Sequence, residues 1–279
     1  MPPTIAIIAP GAMGAGVASC LSANGVTVLT SLEGRSAASR QRAAATGMRD
    51  ASHAALAEAD FLLSIVPPAD AVALARRLAP SLAASSRRTV YVDCNAVSPP
   101  TAQAVADIIT ATGCGFVDAG IIGPPPKPGT TNTKFYASGP RARDFAALND
   151  FGLIVRVLDG PLTAASALKM SYAGITKGLT ALGAAMMLAA TRGGSAQALK
   201  AELTESQPAL LRFFERMVPP MYGKAYRWAP ELDEIAGFVG TERPEGAMFT
   251  AAARLYEELA ADVAGDNRET AALDSFLKK

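Results

Sequence analysis

One short stretch limits the fold more than any other: TIAIIAPGAMGAG, residues 4–16. Its first half, Thr4 to Ala9, is an almost uninterrupted apolar run, which suits a strand buried on both faces of a parallel sheet. Its second half gathers small residues where a strand would turn into a helix. Ala9, Gly11 and Gly14 carry the spacing of the three glycines in a G-x-G-x-x-G phosphate-binding turn. The backbone of Gly11, Ala12, Met13 and Gly14 is then the candidate cradle for a pyrophosphate, because bare N–H groups at a helix start favour an anion. Ala9 departs from the pattern, and a Cβ is tolerated at that turn only if its φ stays negative. Met13 to Asn24 reads as the helix, Gly25 as its stop, and VTVLT as the second strand.

The rest of the first half repeats that unit. ADFLLSIVPP (59–68) and RTVYVDCNAVSPP (88–100) are apolar strands that end in polar or proline-marked loops and lead into helices, as successive parallel β-α units should. GFVDAGIIGPPP (115–126), KFYASG (134–139) and GLIVRVLDG (152–160) supply further strands with less helix between them, an extension of a doubly wound sheet. After Pro161 the pattern becomes helical throughout, beginning with one long helix from Thr163 to Arg192. The expected architecture is a Rossmann-type α/β domain over residues 1–162, then a long interdomain helix and an all-α domain over 163–279.

At 279 residues, half of them apolar, the chain can bury the cores of two domains. With 26 basic and 25 acidic residues it is nearly neutral, which argues against a nucleic-acid surface or a polybasic membrane patch. Cys20, Cys94 and Cys114 have no metal spacing and an odd count, so no metal site is expected, and a reducing, cytoplasmic location fits better than a secreted disulfide framework. The apolar stretch Gly178–Ala190 is short for a membrane span and reads as a buried helix.

Ligands of doubly wound sheets bind beyond the carboxyl ends of the strands, so Val66, Pro67 and Asn95 are expected beside the ribose and nicotinamide, Asn95 holding the nicotinamide-side groups. The choice of dinucleotide turns on TSLEGRSAASRQR (30–42). Glu33 suits the ribose 2′-hydroxyl of NAD, whereas Ser31, Arg35 and Ser36 suit the 2′-phosphate of NADP, with Arg40 and Arg42 either joining them or forming an exposed helix face. NADP is the expected cofactor and NAD the less favoured one. Hydride transfer to a carbonyl needs a proton donor as well. The only histidine, His53, lies in a polar stretch and reads as a surface residue remote from any ligand loop. Lys169 lies on an apolar helix and is either snorkelling to solvent or desolvated as an acid/base.

Five motifs in order resemble the β-hydroxyacid dehydrogenase and 6-phosphogluconate dehydrogenase superfamily: Gly11-x-Met13-Gly14, SIVPP, VDCNAVSP, DAGIIG and LKMSYAGITKG (168–178). The C-terminal helices, with YRWAPELDEIAGF (226–238), mark a divergent branch. The resemblance implies an NADP-dependent dehydrogenase or reductase acting on a small carbonyl or hydroxy compound, with Lys169 as general acid/base. It also implies a homodimer whose C-terminal domains interlock, and the apolar surface of the long helix points the same way. Related imine reductases and a non-catalytic cofactor-binding protein are the alternatives.

Departures from the family are informative. Tyr172, Ala173 and Thr176 stand where hydroxy-acid members carry Asn one turn after the Lys and sugar-acid decarboxylating members add an acidic residue; Tyr172 shares a face with Lys169 and either shares the proton transfer or fills the pocket. Lys177 is read as a substrate contact or as a solvated or interface charge. Ile122-Gly123-Pro124 replaces the family's Ser-Gly-Gly in the substrate loop, so Ile122 and Gly123 face a substrate with one hydroxyl and one N–H fewer. Met217, Met221, Tyr222, Tyr226 and Trp228 line a larger, less polar pocket or belong to the core.

Overall fold

The computed structural model describes residues 2–278. The chain divides into two units, Met1–Lys169 and Met170–Lys279. The first contains β1 (Thr4–Ile8), α1 (Ala12–Ala23), β2 (Thr27–Thr30), α2 (Ala37–Ala45), β3 (Arg49–Asp50), α3 (His53–Leu56), β4 (Phe61–Ser64) and α4 (Ala71–Ala84). It continues through β5 (Val90–Asp93), α5 (Pro99–Thr110), β6 (Gly115–Ile122), β7 (Lys134–Ser138), α6 (Ala142–Ala146) and β8 (Val155–Val157).

These strands form one sheet in the order β3-β2-β1-β4-β5-β6-β7-β8. Neighbours are parallel except β6 and β7, which join without an intervening helix and so pair antiparallel. The chain runs outward from β1 to β3 and returns to β4 on the other side of β1. That reversal opens a crevice beyond the carboxyl ends of β1 and β4. Both sheet faces are covered, which is why β1 is apolar at nearly every position. Ile5 and Ile7 enter one core with Val17 and Leu21, while Ala6 and Ile8 enter the other with Leu62, Leu74 and Tyr91. Each fully buried Ile contributes on the order of 1.5–3 kcal/mol.

The two-residue β3 has too few residues to show a periodicity in sequence. It is made by tertiary bonds: the Ala51 N–H donates to the Thr30 carbonyl at 2.9 Å, and the Asp50 carboxylate accepts the Leu32 N–H at 2.8 Å. Of the apolar run 152–160, only Val155–Val157 pairs as a strand, β8, alongside β7.

The long helix, α7 (Ala164–Arg192), begins in the first unit and continues into the second. The units part at Lys169, seven residues beyond the boundary read from composition, because the helix's first turns are bonded to the sheet. The Ala165 N–H donates to Ser138 Oγ, and Ser166 is held by Asp118. Length and hydropathy alone would let α7 cross a bilayer, yet half of its apolar window is buried in the protein. The second unit adds α8 (Ala196–Ser206), α9 (Pro208–Met217), α10 (Ala225–Val239), α11 (Pro244–Ala264) and α12 (Arg268–Leu277), with α10 and α11 packed most extensively on each other.

Gly14 shows how tightly β1 and α1 meet. A Cβ there would collide with the Ala9 carbonyl oxygen and lie 3.3 Å from Ile7 Cγ2, whereas a Cβ on Gly11 would meet nothing within 4 Å. Gly14→Ala should therefore destabilise the protein by about 2 kcal/mol through overpacking, and Gly11→Ala, which only puts a poorer N-cap residue in open space, by about 0.5 to 1 kcal/mol. Urea unfolding of the two variants checks this, and equal losses would contradict it.

Candidate active site

The glycine turn has the form its sequence calls for. Gly11 is the N-cap of α1 with an extended backbone, φ −72° and ψ −177°, and no side chain caps the amides of the first turn. Ala9 does not adopt positive φ; among the described non-glycine residues only Asn267 does. Open space at Gly11 and uncapped N–H groups at Ala12 and Met13 form a cradle into which a pyrophosphate can approach, so the residues present fit a dinucleotide. Behind the turn, Arg42 donates to the Pro10 carbonyl at 3.0 Å and to Ser39 at 2.9 Å. Arg42, on the exposed side of α2, thus braces the turn. Arg40 lies outside and donates to the Arg35 carbonyl at 3.3 Å.

A cleft of about 480 Å³ opens beside Ile8, Val66 and Pro67 at the reversal in strand order. Ser31, Glu33 and Arg35 enter it from the loop after β2, as their positions predict, and Asp70 and Arg77 enter from the start and body of α4. Ser36 does not line it, because its Oγ caps α2 by accepting the Ser39 N–H at 3.3 Å. The reading of His53 as remote from ligands is corrected: the bonds that make β3 strap the following segment against the β2 loop, and His53 lines the same cleft. Arg77 and His53 carry no motif in the sequence. Their shared signal is position, just after a strand's carboxyl end or on the first turns of a crossover helix.

Between β4 and β5 the polar groups are satisfied by one another. Asn95, 4% exposed, accepts the Val66 N–H at 2.7 Å and donates to Ser64 Oγ at 2.8 Å. The amide expected to hold nicotinamide-side groups ties the loop after β5 to the end of β4 and the loop that follows it. Asn95 N–H donates to Asp93 Oδ1 at 3.0 Å, while Asp93 Oδ2 is buried without a partner. Burial dominates at Asp93 and, with the Asp118 charge adding to it against the opposing Asn95 bond, its carboxyl is pushed up to about 7. Asp118, its register partner on β6, is pushed up to about 6 by burial, which outweighs its bonds to Ser166.

Asp118 is the residue that sequence reading overlooked, although a carboxylate inside an apolar strand is itself a signal that a partner waits for it. Its two oxygens accept the Ser166 N–H and Oγ, each at 2.7 Å, so the middle of β6 is fastened to the first turn of α7. The two elements approach closely at Gly120, where a Cβ would lie 2.9 Å from the Ala165 carbonyl oxygen and 3.0 Å from Lys169 Cβ. Lys169, half-buried, then reaches back to donate to the Ile121 carbonyl at 2.9 Å. This brings its ammonium to the root of the Ile122–Gly123 loop. Tyr172 follows one turn along α7 and is 48% exposed.

Lys177 is neither solvated nor presented with Lys169. Eight residues advance a helix by about 80° beyond two full turns, which carries Lys177 into the second unit's core. There it pairs with Glu231, lies 5.3 Å from the centre of the Trp228 ring, and its own carbonyl accepts Tyr256 Oη at 2.6 Å. The C-terminal aromatic and Met residues also separate. Met221 and Trp228 are core, Tyr222 donates to Asp274 at 2.9 Å, and Tyr226 is exposed.

The raised Asp93 carboxyl has a pH consequence. Its folded value lies above the ordinary 3.8, so its contribution to stability is full below about 4 and is lost as pH rises through about 7. Asp93→Asn keeps an acceptor for the Asn95 N–H and removes the charge. The variant should be more stable than the parent at pH 8 by up to about 4 kcal/mol, and by less than half as much at pH 5. Urea unfolding at the two pH values checks this; a pH-independent difference would refute it.

Comparisons with known proteins agree with this arrangement. Residues 4–150 match the NAD binding domain of 6-phosphogluconate dehydrogenase, and residues 190–259 match a domain of unknown function, DUF1932. No curated protein matches in sequence. Among solved structures, one protein of unknown function, described as structurally similar to 3-hydroxyacid dehydrogenases, is 29% identical with a TM-score of 0.70 over 94% of this chain and 98% of its own. A hypothetical protein of Sinorhizobium meliloti is 25% identical with a TM-score of 0.72 over 99% and 97%. A 3-hydroxyisobutyrate dehydrogenase of Mycobacterium tuberculosis, solved with L-serine, shares the fold at 20% identity, with a TM-score of 0.71 over 99% of each chain. The match over more than half its length, on the glycine turn and sheet just described, makes this chain a member of the family of the 6-phosphogluconate dehydrogenase NAD binding domain, an NAD(P)-dependent oxidoreductase.

Proposed function

We propose that this chain is an NADP-dependent reductase or dehydrogenase that interconverts a small carbonyl and hydroxy compound, with Lys169 as the general acid/base. The observation that carries the reading is the Lys169 ammonium held at the Ile121 carbonyl, beside the Ile122–Gly123 loop at the carboxyl edge of the sheet. The likeness to a protein described as similar to 3-hydroxyacid dehydrogenases supports the same reaction type, alcohol–carbonyl interconversion.

When bound, the dinucleotide supplies the hydride in reduction and accepts it in oxidation. The chain supplies the rest. In reduction Lys169 gives a proton to the carbonyl oxygen as the carbon gains hydride, leaving a neutral amine that regains its proton from solvent; oxidation reverses both transfers. Tyr172 orients or relays along the same helix. Ile122 and Gly123 border the substrate with fewer donors than a carboxylate requires, which favours a less acidic compound. Ser31 and Arg35, with Arg77, meet the 2′-phosphate.

Lys169→Met keeps the apolar stem while removing the charge. Turnover of a carbonyl panel with NADPH should fall by about 10²- to 10⁴-fold with cofactor affinity retained. Tyr172→Phe should cost less; a fast Lys169→Met enzyme beside an inactive Tyr172→Phe enzyme would assign the proton to the tyrosine instead.

The active form is a homodimer. In the second unit Tyr172, Ile175, Leu182 and Met186 make an exposed apolar stripe along α7, Ile175 at 70% and Leu182 at 58% exposure. Such a stripe on one helix face calls for a covering surface, and a second copy supplies it isologously. Light scattering at micromolar concentration should give the mass of two chains, and Leu182→Glu the mass of one. A monomeric, fully active parent would overturn the assignment.

A further inference from the structure

The cofactor cleft gathers ionisable side chains that do not pair with one another. Glu33 and Arg35 come from the loop after β2, His53 from the start of α3, Asp70 from the turn before α4, and Arg77 from α4 itself. Among the described residues, the side chains of these five make no hydrogen bond or ion pair. Two more charged groups precede His53 on β3: Asp50 is occupied by the Leu32 N–H, and Arg49 does not line the cleft. The two permanent cations, Arg35 and Arg77, are balanced by two carboxylates, Glu33 and Asp70. The imidazole therefore decides the sign of the lining: neutral overall when His53 is uncharged, positive when it is protonated.

We propose that protonation of His53 sets which dinucleotide this cleft prefers, the imidazolium adding the cation that holds a 2′-phosphate and the neutral ring leaving a lining suited to a 2′-hydroxyl. The proposal rests on the reading of this cleft as the adenosine end of the dinucleotide site. Glu33 then accepts the 2′-hydroxyl of NAD in the neutral state, and Arg35, Arg77 and imidazolium share the phosphate in the charged one. Among side-chain types, imidazole is the one most used as a charge switch near neutral pH. The sign is distinctive. The 2′-phosphate loses its second proton near pH 6, which by itself strengthens NADP binding to cations as pH rises, whereas loss of the imidazolium weakens it.

The test is fluorescence titration of the full-length protein with NADPH and NADH at pH 6.5 and 8.5, and with adenosine 2′,5′-bisphosphate as the truncated probe. In the parent, the NADPH-to-NADH affinity ratio should fall about tenfold between the two pH values, the size of one charge-assisted contact. His53→Gln should abolish that fall with NADH affinity unchanged, and His53→Lys should hold the NADPH preference at both pH values. The bisphosphate should follow NADPH in each case. Identical pH slopes in the parent and both variants would overturn the proposal while leaving the cleft assignment intact. Arg35→Ala separates the two: a loss confined to NADPH and the bisphosphate sustains the cleft reading, and unchanged affinity for all three probes overturns it and this proposal with it.

Discussion

The carboxyl edge of the sheet depends on one buried carboxylate. Asp118 is 1% exposed, and an ionised group so placed is costly unless its oxygens are filled. The first turn of α7 fills them with the Ser166 N–H and hydroxyl, and the positive end of the helix macrodipole adds to the attraction. Because β6 and α7 are fastened at that point and Gly120 lets them touch, Lys169 has a short reach to the Ile121 carbonyl. Without the clamp the lysine would remain one more charge on a long helix. With it, the ammonium has a fixed address beside the Ile122–Gly123 loop.

Polar groups at this edge fall into two kinds. Ser64, Asn95, Asp118 and Ser166 bond to one another or to backbone, which makes them struts whose removal would loosen the loops. Glu33, Arg35, His53, Asp70 and Arg77 remain uncommitted around a cleft. A buried polar group that is satisfied within the chain has no capacity left for a ligand, and one that is left uncommitted in a concavity has it all. The distinction places Asn95 among the struts and His53 on the lining of the cleft. Lys177 belongs with the first kind, since Glu231 and the Trp228 ring occupy it within the helical unit.

Much of the fold is written locally. The run Thr4–Ile8, the small residues after it, the proline-marked strand ends and the change of period after Pro161 each depend on neighbours within a few residues, so order, type and handedness of the main elements follow from the chain alone. The glycine turn and Lys169 are legible for the same reason. The limits of local reading show at β3, which exists only through bonds to the β2 segment, and at the unit boundary, which tertiary bonds carry from residue 162 to Lys169.

What the sequence by itself determined is therefore the set of parts: a doubly wound sheet, a phosphate turn, a long helix bearing a lysine, and a basic-leaning loop after the second strand. Only the tertiary structure decided which groups are available for chemistry, because availability is a matter of who else bonds to them. Arg42, Ser36 and Asn95 share side-chain chemistry with the residues around the cleft, yet each is consumed by a partner at the turn, a helix cap or a neighbouring strand. His53 and Arg77, separated by 24 positions from one another and unmarked by any motif, meet Arg35 because parallel strands bring their carboxyl ends to one edge of a sheet.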